Sequence, residues 1–264
     1  MNLYTPPQIL DEAGKLAIEK DKYSTKKILT LAFLAGVYIS FGGMLALLMG
    51  GGVPGIAENN PAISKFLLGA AFPVGLMLVV LAGGELFTGN NAYFMPNVLS
   101  GKQKLAVPLR NWALVYIGNF IGCIFTAYVL THLTQVIGSE PWSDYIEKIA
   151  VSKTSNPFYK TLLKGIGANW LVCLALWMGM SAKSTAGKIL GIWWPVMTFV
   201  TLGFEHCVAN MYFIPLAIFE GSDISWIAFI VDNLIPATIG NIIGGAFFVG
   251  TLYWYAYKKD EKIN

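Results

Sequence analysis

A polar break occurs twice inside apolar sequence long enough to cross a membrane. The first is GGELFTGN, Gly83 to Asn90, and the second is GFEHCVAN, Gly203 to Asn210. Gly83 pairs with Gly203, Glu85 with Glu205 and Asn90 with Asn210, each 120 residues apart. A spanning helix satisfies its own backbone, because lipid offers no substitute partner. Each break therefore frees amides and carbonyls that need side chains or water, and glycine supplies the backbone freedom. Interrupted spans at matching positions of two halves point to a transport site near the bilayer midplane.

The composition agrees with a membrane setting. Of 264 residues, 55% are hydrophobic and 12% charged, with a mean hydropathy of +0.58. A soluble domain carries about twice that charge fraction. Apolar stretches of spanning length, about 20 residues, run over 27–50, 63–100 (broken), 108–137, 158–182, 188–220 (broken) and 224–257. Residues 6–20 differ. Pro6 and Pro7 precede Ile9, Leu10, Ala13, Leu16 and Ala17, an apolar stripe at helical spacing, with charges on the remainder. That pattern predicts a short helix lying at the interface or on the bundle, not a span. The chain thus divides into an N-terminal amphipathic segment (1–26), a six-helix transmembrane domain (27–257, with halves 27–137 and 158–257) and a tail (258–264).

Lysine and arginine orient the spans. With the N-terminus inside, 13 of the 18 fall on the inner side, and Lys65, Lys148, Lys153, Lys160 and Lys164 fall outside. The bias predicts a multi-pass protein with both termini cytoplasmic. The first 27 residues hold five lysines and no apolar core, so no cleavable signal is expected. Cys123, Cys173 and Cys207 sit in apolar segments without metal-site spacing and imply no disulfide framework. The basic residues lie in loops and tails, which argues against a nucleic-acid partner.

Beyond the breaks, Asn111, Gly118, Asn119, Gly122 and Phe125 of the third span align with Asn233, Gly240, Asn241, Gly244 and Phe247 of the sixth, at a constant offset of 122. A weaker match places Thr30, Leu31 and Gly36 against Thr161, Leu162 and Gly167, at offset 131. Three spans per half make the second half enter from the opposite side, an inverted repeat. After each break a new half-helix begins with its N-terminus toward the midplane. Two such ends carry free N–H groups and partial positive charge, which favours an anion.

These residues resemble the formate/nitrite transporter family over the full chain. The resemblance rests on VLAGGELFTGN (Val80 to Asn90), GIGANWLVCLA (Gly165 to Ala175) and GFEHCVANM (Gly203 to Met211), in that order and spacing. It implies an all-α, aquaporin-like six-helix fold with broken second and fifth helices. It also implies a homopentamer in a cell membrane with a pore through each protomer, passing small monovalent anions such as formate or nitrite. No cofactor is implied.

The resemblance also selects residues. The family's central pore histidine falls on His206; read without it, a buried histidine satisfied by carbonyls serves equally. Thr88 matches a pore-facing loop threonine that can bond that histidine; it could also cap the half-helix beginning near Asn90. Asn169 could line the pore or bond across helices. Phe72, Leu76, Leu86, Phe87, Phe199 and Leu202 match two apolar constrictions, where ordinary packing is the alternative. Lys153 matches a basic residue at the pore mouth. Glu85 and Glu205 read as supports that accept backbone N–H groups of the breaks, with Asn90 and Asn210 doing similar work. His132 is expected to be interfacial. Hydrosulfide is the alternative substrate. The breaks lack the paired Asn-Pro-Ala motif of a neutral-solute pore of aquaporin type, and no second histidine or metal-ligand pair joins Glu205, His206 and Cys207 to support an enzyme.

Overall fold

The computed structural model describes residues 3–258, so residues 259–264 of the predicted tail, Lys259 and Lys262 among them, lie outside the described residues. Helix α1 (Pro6–Asp21) starts where the Thr5 N–H donates to Gln8 Oε1 at 2.9 Å. Proline in its first turn loses no hydrogen bond, since those N–H groups have no helical acceptor. Its stripe Ile9, Leu10, Ala13 and Ala17 is buried. Helix α2 (Thr25–Gly51) is capped by Ser24 Oγ, which accepts the Lys27 N–H at 3.2 Å.

The chain continues through α3 (Pro61–Gly83), α4 (Phe87–Tyr93) and α5 (Ala106–His132). The second half holds α6 (Trp142–Thr154), α7 (Phe158–Ser181), α8 (Thr185–Thr201), α9 (Cys207–Phe219) and α10 (Trp226–Tyr257). Among the described residues five helices, α2, α3, α5, α7 and α10, are long and apolar enough to cross a membrane. Helices α8 and α9 are shorter, at 17 and 13 residues.

Close helix pairs organise the bundle: α2 lies along α5, and α7 along α10. A Cβ at Gly122 would run into the Phe33 carbonyl oxygen, and one at Gly244 into that of Ile166. Without a hydrophobic drive between helices in lipid, such small residues let backbones meet and gain dispersion contact.

These contacts correct the register expected for the first and fourth spans. Asn119 donates to the Ala32 carbonyl as Asn241 does to that of Gly165. Gly118 faces the Leu29 carbonyl as Gly240 faces that of Leu162. All these pairs stand 133 residues apart, not 131. Three identities in an apolar helix are cheap, and a two-residue slip produces them by composition alone.

Helix α1 sits at the Thr25 end of α2, where the Tyr4 N–H donates to the Ser181 carbonyl at 2.8 Å. We call this the terminal face. Helix α6 covers the other end. Trp142 Nε1 donates to the Leu48 carbonyl at 3.1 Å, and the Tyr145 ring lies against Gly51. This is the far face.

Candidate functional site

Helix α3 stops at Gly83, with φ +91°, and α8 gives way to Gly203, with φ +67°. Both values lie in the left-handed region that only glycine enters freely. The chain then extends through Gly84–Leu86, and likewise up to His206, before α4 and α9 begin. The same side chain ties each break. Asn119 Oδ1 accepts the Phe87 N–H at 2.9 Å, and its Nδ2 donates to the Glu85 carbonyl at 2.9 Å. Asn241 Oδ1 accepts the Cys207 N–H at 2.8 Å, and its Nδ2 donates to the Glu205 carbonyl at 2.8 Å.

The two carboxylates take a different part from the one expected. Glu85 accepts from Asn90 Nδ2 at 2.7 Å and from Lys20 Nζ. Glu205 accepts from Asn210 Nδ2 at 2.7 Å, Asn233 Nδ2 at 3.2 Å and Lys153 Nζ at 3.0 Å. Their donors are side chains rather than the freed backbone. Both carboxylates are buried, and a buried charge persists only when paired and hydrogen-bonded. Asn90 and Asn210 also donate to Asn111 and Asn233, at 2.8 and 2.7 Å. Lys20 and Lys153 stand 133 residues apart, the offset of α2 and α7, so α1 and α6 repeat as well. Lys153 is thus engaged with Glu205, not free in solution.

Between the two breaks, Thr88 Oγ1 lies 2.9 Å from His206 Nε2. The other ring nitrogen, Nδ1, accepts the Ala209 N–H at 3.0 Å and so caps α9. An accepting Nδ1 carries no proton, which places the proton of the neutral ring on Nε2. His206 therefore donates to Thr88, and the threonine hydroxyl keeps its own proton to donate elsewhere. Thr88 is not a cap: Asn119 takes the first N–H of α4.

The imidazole stacks on Phe199, 5.7 Å between centroids, and Phe199 meets Phe72 edge-on at 5.9 Å. With Leu76, Leu86 and Val172 they enclose a void of about 10 Å³, room for roughly one water. On the far-face side the same His206, Phe72 and Phe199 form the floor of a cavity of about 420 Å³. Leu202 stands at its mouth, 57% exposed. Phe87 instead turns its ring edge-on to Tyr116 at 4.9 Å. Asn169 Nδ2 reaches the Thr88 carbonyl (3.1 Å), Asn91 Oδ1 (3.1 Å) and the Asn241 carbonyl (2.6 Å), a tie across three elements.

Residues 7–255 match the sequence profile of the formate/nitrite transporter family. The chain belongs to the formate/nitrite transporter family. It is 41% identical to a probable formate transporter of Methanothermobacter thermautotrophicus, over 97% of this chain and 98% of that one. It is 42% identical to a formate channel of Bacillus thuringiensis, over 99% and 98%. Its fold is similar to that of a solved pentameric formate channel with formate bound, with a TM-score of 0.77 and 34% identity over 89% of this chain and 98% of that one. This family membership, with the apolar helices, makes it a membrane transport protein.

Sequence reasoning missed three contributors in this family member. Lys20 is expected only as part of the amphipathic helix, although its spacing to Lys153 is legible in the sequence. Asn119 and Asn241 are expected only as repeat partners, with no role assigned. A constant offset between paired polar residues is the signal for all three, 122 for the asparagines and 133 for Lys20 with Lys153. His132, at the far-face end of α5, lies 3.1 Å from Glu220 Oε1 and away from the central site.

Proposed function

We propose that the chain is a pore for small monovalent anions, formate or nitrite first. It would cross the membrane six times, with α8 and α9 together forming the fifth crossing. The halves would be an aquaporin-like inverted repeat, the assembly a homopentamer in the cell membrane, and the terminal face cytoplasmic. The observation that carries the reading is the Thr88–His206 pair between two helix starts, walled by apolar side chains. An anion entering from the far-face cavity meets donors there and carbon elsewhere.

Phe72, Leu76, Leu86 and Phe199 form the constrictions in this reading, with Leu202 at the outer mouth and Phe87 bracing from behind through Tyr116. A bare charge in such a ring costs several kcal/mol. Two routes avoid that cost. A proton taken from the far-face vestibule makes the His206 ring cationic, and its Nε2 proton then passes to the anion along Thr88, so that a neutral acid crosses and a neutral ring is left. Alternatively, the threonine hydroxyl and the start of α9 hold the anion as it passes. The proton that the ring takes up sits on Nδ1 and breaks the Ala209 cap while it is held, and the proton that leaves toward Thr88 is the one on Nε2. Glu85, Asn90, Glu205 and Asn210 support the breaks, Asn169 holds the Thr88 loop, and Lys153 orders Glu205 beside the vestibule.

The test is formate uptake into proteoliposomes at two external pH values, with nitrite and hydrosulfide compared and His206→Asn as control. Uptake that rises as external pH falls and that flattens in the variant supports proton transfer. Uptake of all three anions driven by voltage and indifferent to the variant removes histidine from the mechanism.

A further inference from the structure

Helix topology leaves five lysines on the far face, and the fold gathers four of them around one cavity. Lys65 and Lys148 are exposed at the rim, and Lys153 and Lys164 are half-buried deeper in. Lys164 lies within electrostatic reach of Lys65, Lys153 and Glu205. Among the described residues Glu205 is the one carboxylate lining this cavity, and Lys153 already holds it. Among the described residues Lys65, Lys148 and Lys164 make no ion pair. The repeat does not copy this cluster at the terminal face. At offset 133 the partner of Lys164 is Leu31, and the partner of Lys148 is Lys15, which is paired with Glu12 at 2.6 Å.

A surplus of three ammonium groups exceeds what one monovalent ion can use. Attraction to fixed charge grows in proportion to the charge of the ion. The cost of desolvating an ion grows with the square of its charge in the Born picture. A small dianion is therefore drawn to these lysines more strongly than a monoanion, while the Phe72–Phe199 neck rejects it far more severely. At about 420 Å³ the cavity also leaves room for part of its hydration shell, about 30 Å³ per water.

We propose that the far-face cavity is a binding site for small dianions, sulfate- or dicarboxylate-like, which occupy it without passing and close it to the permeant anion. Lys65, Lys148 and Lys164 are its ligands, and it acts from one face only. The blocking part of the inference rests on the transport reading above; the binding part does not.

Binding is measured by calorimetry on the detergent-solubilised protein, with sodium sulfate and sodium malonate titrated against chloride of matched ionic strength. Wild type is expected to saturate at one dianion per chain, and Lys148→Gln/Lys164→Leu to bind at least tenfold more weakly. Formate flux is then followed in right-side-out and inverted membrane vesicles with each dianion added outside. Block is expected in one vesicle orientation alone and weakened in the double variant, whose flux without dianion stays within about twofold of wild type. A saturating response to only one of the two salts narrows the class to oxyanions or dicarboxylates. Heats that do not saturate, or that the variant leaves unchanged, mean an adventitious ion only and overturn the site. Equal block from both faces overturns the assignment to this cavity. If no formate flux exists at all, the transport reading fails while calorimetry still decides the site.

Discussion

His206 has two ring nitrogens with two separate duties, and that division governs what a substitution does. Asparagine can still cap α9 but cannot exchange a proton, so His206→Asn should fold, keep its melting temperature within a few degrees and lose the pH dependence of formate uptake. Thr88→Val removes the acceptor of Nε2–H. A buried donor left unsatisfied costs about 1–3 kcal/mol, so the variant should melt lower and carry less formate, read by thermal unfolding in detergent and by flux. The ion pairs offer a sharper check. Glu205 is buried against Lys153, so Lys153→Met leaves a charge without its partner and should destabilise by about 3–5 kcal/mol. Adding Glu205→Gln should recover most of that loss, and a double mutant no more stable than Lys153→Met would contradict the paired-charge account. The same cycle on Lys20 and Glu85 should behave alike, because each carboxylate is buried and takes one lysine and the asparagine five residues on.

At the scale of elements, the breaks hold because asparagines on α5 and α10 replace the helical partners that the interrupted backbone has lost. Asn241→Ala would strand the Cys207 N–H and the Gly165 and Glu205 carbonyls, all served by one side chain. It should cost more than a single lost hydrogen bond, about 2–4 kcal/mol. Asn119→Ala should match it within experimental error, and a large inequality in thermal unfolding would show that the halves are not mechanically equivalent. Much of this was open to sequence reading. Paired Glu and Asn at one offset marked the breaks, because polar residues in apolar spans need partners. The first-to-fourth span register was not open to it, since leucine, threonine and glycine identities recur in any spanning helix. Contacts between helices give the offset of 133, as where the carbonyls of Ala32 and Gly165 face equivalent asparagines.

For the whole molecule, the outer surface of α5 presents Leu109, Ile117 and Ile121, each more than half exposed. In a membrane such a face meets lipid or another copy of the chain. On the pentamer reading, native mass spectrometry from mild detergent should give five chains per particle, and a monomer would leave these residues to lipid alone. The far-face cavity and the terminal face also differ in charge although the helices repeat. The repeat copies backbone geometry and its buried ties, while the lysines near the mouths have diverged.

The chain alone determined its setting, its breaks and its repeat, because hydropathy, polar residues in apolar spans and constant spacing are written along one dimension. It also carried the family motifs. Only the tertiary structure decided which atoms meet. His206 donates to Thr88 because Ala209 occupies the other nitrogen. Glu85 and Glu205 take lysine and asparagine rather than backbone, because α1 and α6 fold over opposite ends of the bundle. Four lysines spread from position 65 to position 164 share one cavity for the same reason. Partnership between distant side chains depends on helix register and packing, and a linear pattern constrains those only where the spacing happens to repeat.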